Sequence, residues 1–125
     1  MAKKRILIID DEEDICEIMK LNLESTGEFT VDTSKTGEEG VEMAKMSSYD
    51  LVITDFYMPG MDGGEVIDEL RAVRPDMPVL LFSIYHDDVS TLATAVKSKA
   101  DGIIVKPIKH EELHKMIKDA LNRKR

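Results

Sequence analysis

The sequence has one cysteine, no apolar run long enough for a bilayer, no excess of positive charge and no glycine-rich loop after its first apolar segment. Each shortage removes a class of function. A lone thiol, Cys16, cannot close an internal disulfide, and its place among helix-forming residues fits a small buried thiol in a reducing compartment. The longest apolar runs, such as residues 51–53 and 79–82, fall far below the roughly 20 residues that a membrane helix needs. Lys3, Lys4 and Arg5 lead into a short apolar run that ends at Asp10 and Asp11, unlike a secretory signal, so a cytoplasmic location is predicted. With 17 Lys and Arg against 25 Asp and Glu, the net charge of −8 repels a phosphate backbone and argues against direct nucleic-acid binding. The missing glycine-rich loop argues against a flavin or dinucleotide binder. No linker, repeat or low-complexity tract interrupts the 125 residues, which suffice for one domain, 1–125, and are too few for two.

What is present is an alternation of short apolar runs with segments of helical period, the rhythm of βαβ units in a parallel sheet covered on both faces. The strand candidates are residues 5–10, Phe29–Ser34, Leu51–Asp55, Val79–Ser83 and Gly102–Val105. Three are nearly continuous in Ile, Leu and Val, which predicts a central place. Ile15, Ile18, Met19 and Leu23 carry a first helix that stops at Gly27, and Thr36 with Glu39 forms a capping-box pair opening a second. Helical spacing recurs in Val66, Ile67, Leu70 and Val73, in Val89, Leu92, Ala93 and Val96, and in Leu113, Met116, Ile117, Ala120 and Leu121. Pro75 ends the third helix, because the residue before a proline is pushed out of helical backbone. The scattered methionines read as adaptable core filler. The basic end, residues 122–125, sits at the negative end of the last helix dipole.

In an open α/β sheet, ligands bind just outside the carboxyl ends of the strands. Asp10 and Asp11 close the first strand, Asp55 ends the third, Ser83 ends the fourth and Lys106 follows the fifth. Three carboxylates at one edge repel one another, and they stay ionised together only if a cation joins them or some protons are retained. Oxygen-only donors point to a hard divalent metal, Mg²⁺ first and Mn²⁺ as a substitute. Such a metal shares its shell readily with a phosphate. Lys106 would pair with the remaining charge, and the Ser83 hydroxyl could donate to it.

These residues, with the run Thr54-Asp55-Phe56-Tyr57-Met58-Pro59-Gly60-Met61-Asp62-Gly63 and the pair Lys106-Pro107, resemble the receiver domain of two-component response regulators over nearly the whole chain. The resemblance implies a flavodoxin-like (βα)5 sandwich with a parallel sheet of order 2-1-3-4-5. It makes Asp55 the phosphoacceptor, taking its group from a phosphohistidine on a histidine kinase or phosphotransfer protein. It gives Asp11, Asp55 and the main-chain carbonyl of Tyr57 direct contact with Mg²⁺, and Asp10 contact through metal-bound water. By the same resemblance Lys106 grips a phosphoryl oxygen and precedes a cis peptide at Pro107, which is physically affordable only before proline. Ser83 turns toward the phosphoryl group, together with the residue at 103. The face of the fourth helix, fifth strand and fifth helix is then where a downstream protein, an output domain or a second copy docks. The implied chain is a signalling domain that assists its own phosphorylation and dephosphorylation, not an enzyme with a separate substrate.

Several positions depart from that pattern. Ile103 stands where Tyr or Phe is usual, and Ile84 where a small residue is usual. Tyr57 and Tyr85 occupy the variable places beside the site and predict slow access for water, hence a long-lived phosphorylated state. Lys99 and Lys109 stand where a helix-ending Gly and a capping residue are usual. A phosphatase of the haloacid dehalogenase type would want a second acid where Tyr57 stands. A receiver-like interaction module without phosphorylation is the remaining alternative. His86, His110 and His114 read as solvated histidines without ligand spacing to one another.

Overall fold

The computed structural model describes residues 3–83, 99–105 and 109–123, the side chains of Ser83 and Val105 excepted. The elements run β1 (Lys4–Ile9), α1 (Glu13–Glu24), β2 (Phe29–Ser34), α2 (Gly37–Met46), β3 (Leu51–Asp55), α3 (Gly63–Val73), β4 (Val79–Ser83), β5 (Gly102–Val105) and a last helix, His110–Asn122. The strands are all parallel in one sheet of order β2-β1-β3-β4-β5. This is the flavodoxin-like arrangement, and the three Ile/Leu/Val-rich strands do hold its centre. The stripe from Val89 to Val96 lies outside the described residues, as do Ile84, Tyr85 and His86.

Alternate strand residues face opposite helical layers, which is why these strands are apolar on both sides. Ile6, Ile8, Ile53 and Phe82 pack with Cys16, Met19 and Leu23 of α1 and with Leu113 and Ile117 of the last helix. Leu7, Ile9, Val52 and Leu81 pack with Val41 of α2 and with Val66, Ile67 and Leu70 of α3. One expectation is corrected in α1. Ile18 is 58% exposed, and Cys16, at 4%, takes its place in the core. The buried set of 16, 19 and 23 is spaced by three and four residues, whereas Ile18 is one residue, or about 100° around a helix of 3.6 residues per turn, from Met19.

The helix ends follow local chemistry. Gly27, at φ 77°, takes the left-handed conformation that closes the turn after α1. The Thr36 side chain accepts from the Glu39 N–H at 3.0 Å. The complete reciprocal box lies at α3, where Asp62 accepts from the Glu65 N–H at 2.9 Å and Glu65 accepts from the Asp62 N–H at 3.2 Å. Lys109 precedes the last helix without a side-chain cap, as its identity implied. The first strand begins and ends one residue earlier than expected, because the Asp10 side chain accepts from the Glu12 N–H at 2.9 Å and turns the chain toward α1.

Polar contacts close the sheet's margins. On the outer strand β2, Lys20 donates to the Val31 carbonyl at 2.6 Å, and Glu24 accepts from the Val31 N–H at 3.0 Å. The two side chains also pair with each other at 3.1 Å, so α1 occupies a peptide group that an intruding strand would need. At the amino end of the sheet, Arg71 pairs with Asp101 at 2.8 Å and donates to the Lys99 carbonyl at 2.7 Å, while Asp101 accepts from the Val79 N–H at 2.7 Å. Nearby, the Tyr49 hydroxyl donates to Asp32 at 2.6 Å, and burial with that carboxylate pushes the phenol up to about 12.

The Val31 N–H and the Lys20 ammonium hold the Glu24 carboxyl below the usual carboxylate range. A depressed folded-state value adds stability above the unfolded value and loses it as pH falls through the folded one. Wild type is therefore expected to resist urea better than Glu24→Gln near neutral pH. The two midpoints should converge in acid, and a gap independent of pH would contradict this account.

Candidate functional site

Because the strands are parallel, all their carboxyl ends open on one edge. The β1–β3 register pairs Ile9 with Thr54, which brings Asp10, one residue beyond β1, beside Asp55 at the end of β3. Asp10 is fully buried and Asp55 is 4% exposed, whereas Asp11 faces solvent. One carboxylate oxygen from each of the three lies within 4.8 Å of the others.

Backbone contacts set these acids in place. The Asp10 N–H donates to the Ser34 carbonyl at 3.0 Å, and the Asp10 carbonyl accepts from the Cys16 thiol at 3.4 Å. The Phe56 N–H is shared between Asp55 Oδ1 at 3.0 Å and the Phe82 carbonyl at 3.1 Å. The loop after β3 then folds back, with the Gly63 N–H donating to the Phe56 carbonyl at 2.8 Å. A Cβ at Gly63 would stand 2.7 Å from both the Asp55 carbonyl oxygen and the Phe56 Cα. Sequence reading had not singled out Gly63 as a supporting residue. Its signal was present as Asp62-Gly63-Gly64-Glu65, a capping box with glycine just inside it.

The other expected site residues fall as follows. Tyr57, two residues after the acid of β3, is exposed and meets Phe56 edge to face at 4.8 Å. Ser83 ends β4 opposite Val105. Ile103 lies in β5 opposite Leu81 and packs, partly buried, with the α2–α3 side of the core. Lys106 and Pro107 lie outside the described residues. The expectation that the histidines lack ligand spacing is corrected for one pair: His110 and His114 stand one turn apart on the last helix.

The acids at the carboxyl edge of this open parallel sheet offer the oxygen-only donors that a hard cation takes. The family model of the response regulator receiver domain matches residues 6–118, and the chain belongs to that family. It is 36% identical over 121 residues to the uncharacterized transcriptional regulatory protein YkoG of Bacillus subtilis, covering 97% of this chain and 52% of that protein. It is 32% identical to the alkaline phosphatase synthesis transcriptional regulatory protein PhoP of the same species, covering 96% and 49%. The chain thus spans about half the length of these relatives. Among solved structures it matches the response regulator TrrA of Thermotoga maritima, in complex with Mg²⁺ and BeF, at 37% identity and a TM-score of 0.83, covering 94% of this chain and 98% of that one. A CheY-like receiver domain protein of Methanospirillum hungatei gives 29% identity and a TM-score of 0.87, covering 98% and 96%. The chain is accordingly a signalling domain of the two-component type, which disfavours the phosphorylation-independent alternative. No helix among the described residues is long and apolar enough to cross a membrane.

Gly63→Ala is expected to force the end of β3 to shift and to destabilise the fold by about 1–3 kcal/mol, the usual cost of overpacking. Urea unfolding checks this, and an unchanged midpoint would show that the loop yields freely.

Proposed function

We propose that Asp55 accepts a phosphoryl group from a phosphohistidine on a kinase or phosphotransfer partner in the cytoplasm, and that Asp10 and Asp11 assemble the divalent-metal site this transfer needs. The observation that carries the reading is the approach of three carboxylate oxygens to within 4.8 Å at the carboxyl edge. The donor set fits Mg²⁺, with Mn²⁺ as substitute, because it consists of oxygens alone. Asp11, Asp55 and the Tyr57 main-chain carbonyl would hold the ion directly, and Asp10 through water. Bound there, the metal neutralises charge on the acids and on the arriving phosphate.

A carboxylate oxygen of Asp55 attacks phosphorus, the P–N bond breaks with its electron pair going to the imidazole, and an acyl phosphate remains. Such transfer depends on in-line positioning and charge neutralisation more than on covalent assistance. Asp55 is well placed because β3 is buried and its carboxylate is tethered through Oδ1 by the Phe56 N–H. Lys106 would hold a phosphoryl oxygen, with the Lys106-Pro107 bond cis to aim it. Ser83 would donate to another oxygen and bias the loop that follows β4, with Ile103 adjusting beside it. The signal would leave through the face that includes β5 and the last helix, toward an output domain, a separate protein or a second copy.

Incubation with Mg²⁺ and a small acyl phosphate is expected to add one phosphoryl group by intact mass to wild type and none to Asp55→Asn. Labelling that persists in Asp55→Asn would move the acceptor elsewhere. Saturating Mg²⁺ is also expected to raise the thermal midpoint of wild type, by an amount equivalent to about 2.7 kcal/mol at a hundredfold excess over Kd. In Asp11→Asn that gain should largely vanish. Without metal the same variant should be no less stable than wild type, since one of three mutually repelling charges is gone.

A further inference from the structure

Two histidines remote in function from the acidic edge form a motif that the signalling role leaves unused. Residues 110–114 read His-Glu-Glu-Leu-His, and the last helix begins at His110. The two imidazoles therefore share a helix face, with roughly 5–6 Å between Cβ atoms, the spacing at which histidines chelate one metal ion. Neither ring is left to wander. His110 Nε2 meets the side-chain amide of Asn22, in α1, at 2.7 Å. The His114 ring packs tilted against Phe29, at the start of β2, with centroids 5.9 Å apart. Both line a cleft of about 540 Å³ beside Thr26, which also presents Glu111 and Asp119.

We propose that His110 and His114 bind a borderline divalent cation of the zinc class, with water completing its shell. Neutral imidazole suits Zn²⁺, Cu²⁺ and Ni²⁺, whereas the oxygen-only edge suits Mg²⁺, so the two sites select different ions by donor type. The Asn22 amide nitrogen donates to Nε2 of His110, the ring nitrogen that holds a lone pair, and zinc takes that nitrogen in place of the amide. Lys115, Lys118 and the positive end of the helix dipole oppose a cation here. Lys118 is engaged by Glu28 at 3.1 Å, and the Glu111 and Asp119 carboxylates offset the rest. The motif also occurs in zinc peptidases, but among the described residues no set of three close His, Cys, Asp or Glu donors includes these histidines. The site is therefore one of binding, joining the last helix to the turn between α1 and β2, and not of hydrolysis.

Zn²⁺ titrated calorimetrically into the full chain, with Mg²⁺ saturating the acidic edge, is expected to show one site. Loss of a mere outer partner of a metal ligand costs about tenfold or more in affinity. His110→Gln and His114→Gln are each expected to lose at least as much. In wild type the ring-proton resonances of both histidines should shift with zinc, a reading that does not depend on how any variant folds. Absence of zinc binding, ring resonances that do not move, or affinity unchanged in either folded histidine variant would each overturn the proposal.

Discussion

The pairing of β1 with β3 is the constraint on which the site depends. Ile6 opposite Leu51 through Ile9 opposite Thr54 leaves Asp10 and Asp55 side by side, one at the first residue beyond its strand and one at the last residue within it. Three carboxylates drawn together are an unfavourable arrangement in themselves, since like charges at short range repel. It persists because the register is held by apolar residues on both faces of the sheet, and a slip of one residue would turn every one of them to the wrong side. The core thus imposes a geometry that the acids alone would not adopt.

The two ends of the sheet are unlike in kind. The carboxyl edge gathers carboxylates of one sign. The amino edge closes on itself, with Arg71 tying α3 to Asp101 ahead of β5, and with the Arg5 N–H donating to Asp50 at 2.8 Å. Opposite charges are matched at one end, and among the described residues three carboxylates gather at the other. That division keeps the Arg71–Asp101 pair away from the place where an anion would arrive.

Much of the fold was legible because its signals are local or periodic. Buried strands appear as runs such as Leu51-Val52-Ile53, and Gly27 and Pro75 mark helix ends through their own backbone limits. The three acids were legible because strand ends in a parallel sheet converge whatever the intervening sequence. Features set by orientation about a helix axis were harder to read. Ile18 is as apolar as Met19, and only the packing of α1 on β1 and β2 decides that Ile18 faces outward. The Lys20 and Glu24 contacts with Val31 depend on which strand lies outermost, a fact of topology that no window of sequence contains. The pair His110 and His114 was read as solvated for another reason. Lys109 already marked the start of the last helix, but only the fold shows Asn22 and Phe29 lying against the two rings.

The thiol of Cys16 is covered by α1 and engaged with the Asp10 carbonyl, immediately behind one of the three acids. An alkylating reagent can reach that sulfur only when α1 lifts from the sheet, since a buried thiol is chemically inert until it is uncovered. The protein thus carries a built-in clock for the breathing of its first helix, in which the rate of thiol capture counts the moments when the wall behind Asp10 stands open.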